Sequence, residues 1–174
     1  MSRAKSKLLD FEIDKLINSI ENALTGEVFD TEIVRITLRE RRLIRETAWL
    51  FDWNLELRNP KKEVFKLTTV NNPDIIQGMM SFEDKSDHVF LHLLESSKFN
   101  KGRRKLYLGV AGNLVAFACK TSFDKGYEGF IAFDSKTVLI THYEKTLGAT
   151  HFRGQRMFIE PRAATQLISK YFAS

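Results

Sequence analysis

The chain has little of what would mark a special environment. It carries one cysteine, Cys119, so no intramolecular disulfide framework can form, and a reducing cytoplasm is the expected compartment. No apolar run approaches the ~18 residues that a membrane span needs, and the opening residues are too polar for a secretion leader. No membrane partner is expected. The four histidines, His88, His92, His142 and His151, show no clustered metal-ligand spacing, so no metal is expected either. Repeats, low-complexity tracts and linkers are missing, and 174 residues then fit a single domain spanning 1–174. A formal charge of +5 suits an anionic ligand. It falls well short of a dedicated nucleic-acid binder's basic footprint, which disfavours nucleic acid as a partner.

What is present is periodicity. Leu9, Ile13, Leu16, Ile17, Ile20 and Leu24 recur at helical spacing with polar residues between them, predicting an amphipathic helix of about five turns stopped by Gly26. Residues 1–26 are therefore expected to form an N-terminal helical extension. Its apolar stripe could pack on its own domain or on a second subunit, which leaves a homodimer open. Residues 33–38 alternate as a strand, and Thr37 with Glu40 has the form of a capping box. The second helix it starts should run through Leu43, Ile44, Ala48 and Phe51, until Asn59 and Pro60 break it. Residues 63–70 and 75–84 read as a hairpin, with Gly78 marking a bulge or a close backbone approach. Residues 89–94 are almost continuously apolar, as in a strand covered on both faces. Further on come a strand at 127–133, a helix from Ser135 to Gly148, a strand at 156–159 and a closing helix at 163–172.

The stretch that organises the rest is 105–118. Val110, Leu114 and Phe117 form one stripe of a helix, and Gly109, Ala111 and Gly112 sit where that helix must begin. A helix start leaves its first N–H groups without partners and carries partial positive charge. Small residues there let a phosphate approach the backbone, and Lys101, Arg103, Arg104 and Lys105 add cations just upstream. The combination reads as a pyrophosphate cradle or, equally, as a tight loop feeding a core helix.

In this order the elements resemble the GNAT superfamily of acyl-CoA-dependent N-acetyltransferases. Residues 109–115 look like the second half of the superfamily's Q/R-x-x-G-x-G/A loop, 127–133 sits where the following strand belongs, and 142–149 is similar to its Tyr-Glu-Lys-x-Gly-Phe signature. Leu106 stands at the Q/R position, Lys136 where many members have an asparagine, and Ala149 replaces the usual aromatic. The resemblance implies an α/β fold with a twisted, mostly antiparallel mixed sheet, a central parallel pair and flanking helices. It implies acetyl-CoA as acyl donor, and an amine acceptor, small molecule or protein, that the sequence does not identify. The donor would lie against main chain at Leu93, Leu94, Glu95 and Ser96, and its pyrophosphate at Gly109, Val110, Ala111, Gly112 and Asn113, with Arg104 or Lys105 standing in for the missing loop residue. The alternative is a non-catalytic module of the same fold that binds CoA or a partner protein.

Catalytic roles follow the same likeness. Tyr143 holds the position of the acid that protonates the departing thiolate, a role favoured over that of a core aromatic sharing a helix face with Leu139. Glu95 and then His92 are the candidates for a general base, and strict alternation would send them to opposite faces of their strand. Cys119, amid Phe117 and Ala118, is assigned to the core. Arg39, Arg41, Arg42 and Arg45 form either a solvated face or a wall of the acceptor pocket, with Trp49, Phe51 and Trp53 beside them.

Overall fold

The computed structural model describes residues 8–44 and 48–172. In chain order its elements are β1 (Ile20–Asn22), β2 (Val28–Phe29), β3 (Thr31–Ile36), α1 (Trp53–Arg58), β4 (Lys62–Thr69), β5 (Gly78–Asp84) and β6 (Val89–Ser96). Then follow β7 (Tyr107–Leu108), α2 (Val110–Asp124), β8 (Ile131–Asp134), α3 (Ile140–Leu147), β9 (Thr150–Arg153), β10 (Arg156–Ile159) and α4 (Pro161–Phe172). Seven strands form one sheet in the order β3-β4-β5-β6-β8-β10-β9, and β2, β1 and β7 make a small second sheet.

The sheet is antiparallel except for one pair. β6 runs parallel to β8, with Val89, Phe90 and Leu91 opposite Ile131, Ala132 and Phe133. Helix α2 supplies the crossover between them, as a parallel pair requires. Its Leu114, Val115 and Ala118 are fully buried and join Phe82, Leu91, Ile131 and Phe133 in the main core. A smaller cluster of Ile36, Val64, Met79 and Leu93 around Trp53 belongs to a second core, in which α1 packs on β4. Gly78 is the expected close approach: a β-carbon there would meet Val110 Cγ1 at 2.7 Å, so α2 can lie tight on the sheet.

Local signals explain most boundaries. Thr37 caps a short 3-10 helix, Leu38–Leu43, in a full capping box with Glu40. Continuation of that helix to Phe51 is not found: Asp52 caps a new helix, α1, by accepting from the Leu55 N–H. Arg39, Arg41 and Arg42 are exposed, whereas Arg45 lies outside the described residues. Ser135 does not cap α3, because its hydroxyl donates to the Lys136 carbonyl and a 3-10 turn, Thr137–Leu139, intervenes. Gly148 ends α3 in the left-handed conformation, as expected.

The largest departure is at the N-terminus. The expected helix over 9–24 is absent. Residues 9–19 run as an extended strap, and 20–22 form β1. Over 9–18 the buried side chains are Leu9, Phe11 and Ile13, a period of two, and Leu24, counted in the helical stripe, is 93% exposed. Backbone partners decide the conformation. The Leu9 N–H donates to the Asp134 carbonyl at 2.8 Å and the Lys136 N–H to the Leu9 carbonyl at 3.1 Å, so the strap pairs with the chain leaving β8.

Candidate functional site

β6 and β8 part after their three-residue register. β6 continues to Ser96 paired only with β5 among the described strands, so the edge of 93–96 that faces β8 opens on a groove. The start of α2 lies at that groove. Gly109 sits at φ +99, a left-handed turn that strongly favours glycine. A cavity of about 320 Å³ lies between Leu94, Glu95 and Ser96 on one side and Val110 and Ala111 on the other, with Lys101 and Lys105 at its rim. Most of the backbone residues expected to meet a donor are therefore brought together.

The chain's own strap shares this groove. Asp14 Oδ1 accepts from the Gly109 N–H at 3.0 Å, and Asp14 Oδ2 accepts from Lys105 Nζ at 3.0 Å. Asn113 is not a free donor. Its N–H bonds back to the Gly109 carbonyl, and its side-chain amide donates to the carbonyls of Ile17 and Ser19. A β-carbon at Gly109 would meet Ser19 O at 2.9 Å, and one at Gly112 would meet the Tyr171 hydroxyl of α4 first and then Leu16 Cδ2 at 3.2 Å. A donor's pyrophosphate does not fit at Gly109 while Asp14 is there. Arg104 is exposed.

Tyr143 lies in the same region but faces inward. It is fully buried, its hydroxyl donates to the Phe11 carbonyl at 2.6 Å, and its ring packs on Phe11 and Phe133. Burial pushes its phenol well above the ordinary range, with Asp10 and Glu12 adding to the effect, so the hydroxyl keeps its proton. Next to it, His142 Nε2 accepts from the Ile13 N–H at 2.9 Å.

Glu95 and His92 are engaged separately. Glu95 is 3% exposed, and its carboxylate accepts from the N–H groups of Leu50 and Phe51, from Trp53 Nε1 and from Lys101 Nζ. His92 bonds Glu83 across the strand at 2.9 Å. The expected alternation fails at a bulge, where Ser81 opposes Leu93 but Phe82 opposes Leu91. Leu91 and Leu94, three apart, consequently both enter the main core, whereas Leu93 packs in the cluster around Trp53. Nothing in the sequence marks this bulge. Cys119 is fully buried, with burial pushing its thiol far up, in keeping with a core role.

No family model and no curated protein sequence matches the chain. Solved structures do match in fold. AtaTR bound with acetyl-CoA is 17% identical, covering 79% of this chain and 98% of its own, with a TM-score of 0.54. The spermidine/spermine N-acetyltransferase SpeG from Vibrio cholerae, in mutant forms, is 13% identical over 79% and 98%, at 0.53. A Bacillus anthracis protein assigned as a streptothricin acetyltransferase, in complex with acetyl coenzyme A, is 11% identical over 75% and 95%, at 0.51. The fold is that of the GNAT acetyltransferases. Among the described residues no helix is long and apolar enough to cross a membrane.

Proposed function

We propose that this chain is an acyl-CoA-dependent N-acetyltransferase that moves an acetyl group from acetyl-CoA to an amine, using the groove between β6 and β8 as its donor site. One observation carries this: the Gly109 N–H and Lys105 Nζ converge on a single carboxylate, Asp14, in the groove. The start of α2 is thus a built anion site, of the kind that backbone donors and a helix dipole make for phosphate. The solved structures of the same fold that hold acetyl-CoA support the choice of donor. Tyr143 is proposed as the proton donor to the departing thiolate, once its hydroxyl is free of Phe11. Glu95 and His92 keep the partners described above and are not needed as bases by an acceptor amine that arrives unprotonated.

A second function is favoured by the same Asp14 contact. With Gly109 capped and Tyr143 bonded to Phe11, the chain would be a non-catalytic module of this fold acting through a protein partner. A thermal shift separates the two. Acetyl-CoA at 100 times its Kd should add about 2.7 kcal/mol of stability. Binding together with acetylation of some amine in a panel supports the enzyme. Binding without turnover supports a CoA-holding module, and no shift at millimolar acetyl-CoA overturns the donor site.

A further inference from the structure

We propose that residues 9–19 are a displaceable strap that closes the donor groove against its ligand, the Asp14 carboxylate standing in for an anionic group of acetyl-CoA. The proposal rests on the acyl-CoA assignment above and adds to it a built-in competitor.

The strap imitates a ligand in chemistry as well as in place. It lies extended where β6 and β8 have parted, pairs its backbone at Leu9 with the strand-end main chain, and presents a carboxylate to the backbone N–H and the lysine at the start of α2. Asp10, Glu12 and Asp14 alternate with Phe11 and Ile13, which puts the apolar pair in the core and the acids towards solvent and the groove. These acids line the cavity together with Lys101 and Lys105, and closure pairs Lys105 with Asp14, neutralising a cation that would otherwise attract a polyanion.

Its holds are of two kinds. Leu9, Phe11 and Ile13 are buried anchors, but no side chain from 14 to 18 is buried. Over that second half the strap is kept by the Asp14 bonds to Lys105 and the Gly109 N–H, the Lys15–Glu21 pair, the bonds from Asn113 and the partly buried Leu16. The Lys15–Glu21 pair is partly exposed, and pairs of that kind are weak and screened by salt. The half that covers α2 is the half most easily lifted. Ligand affinity is then reduced by the fraction of molecules that are closed.

The test uses the full chain and two variants, Asp14→Asn and Asp14→Ala, with acetyl-CoA as the probe. Calorimetry gives Kd, and amide hydrogen exchange follows residues 9–19 with and without the probe. Loss of a charge-assisted bond should tighten Kd about ten-fold in both variants. Acetyl-CoA should also raise exchange at the strap amides over 14–18 of the unmodified chain, the Lys15 N–H, which donates to Asp14 Oδ1, among them. If acetyl-CoA binds all three proteins equally and leaves strap exchange unchanged, the strap proposal is overturned while the donor site stands. Failure of all three to bind acetyl-CoA overturns both. Should Asp14→Ala not fold, Asp14→Asn, which preserves shape and an acceptor oxygen, decides alone.

Discussion

Trp53 Nε1 donates to Glu95 Oε1 at 2.9 Å, joining α1 to the centre of the sheet through a carboxylate that also accepts from the Leu50 and Phe51 N–H groups. Lys101 Nζ at 3.2 Å supplies the counter-charge. Four donors on one buried carboxylate make Glu95 a clamp for the chain around 50–53.

Removing that clamp should cost stability first. Glu95→Ala leaves the Trp53 indole and two backbone donors without their acceptor, and each unsatisfied buried group costs about 1–3 kcal/mol. We expect a loss of about 3 kcal/mol in denaturant unfolding, with Glu95→Gln, which keeps one acceptor oxygen, losing less. Unchanged stability together with lost acetylation would instead identify Glu95 as a base.

The sequence shows the strands and helices whose own side chains set the period. Residues 89–94 read as a central strand because both their faces are covered, and Val110 with Leu114 read as a helix because α2 presents one stripe to the sheet. The strap was not legible. Leu9, Ile13, Leu16 and Ile17 fit a helical period as well as Leu9, Phe11 and Ile13 fit a strand period, and only the bare backbone beyond β8 chooses between them. The groove itself was legible from Gly109 and Lys105. Its occupant was not, because Asp14 reaches them across 95 and 91 residues of sequence. The alternation expected to send Glu95 and His92 to opposite faces fails for a different reason: it is a local rule, and the bulge opposite Ser81 and Phe82 breaks it.

Acidification should weaken the fold in two stages. Burial lowers the His92 imidazole below its ordinary 6.5 despite the pull of Glu83, and the hydrogen bond from His92 holds the Glu83 carboxyl below its ordinary 4.5. In both cases the unfolded chain takes up the proton first. Stability contributed by His92 is therefore present above about 6.5 and lost as pH falls through its lower folded value, and that of Glu83 is lost below about 4.5. Denaturant midpoints measured from pH 7.5 down to about 3 should fall in both windows. In His92→Gln, which no longer titrates, the upper step should vanish and the lower one shrink to what Lys85 and the new amide supply to Glu83. An upper step of unchanged size in that variant would assign it to another group.

Tyr143 has a structural duty that can be measured apart from any chemical one. Its hydroxyl is the donor for the Phe11 carbonyl in a buried setting, so Tyr143→Phe leaves that carbonyl unpaired while keeping the ring contacts with Phe11 and Phe133. The expected loss is about 1 kcal/mol in thermal or denaturant unfolding. Faster amide exchange at Ile13 and its neighbours should accompany it, because the strap has lost one of its holds. If the hydroxyl also protonates the thiolate, turnover should fall while acetyl-CoA affinity stays the same or improves. Reduced stability with turnover at the level of the unmodified chain would confine Tyr143 to holding Phe11, and the proton would then have to come from solvent.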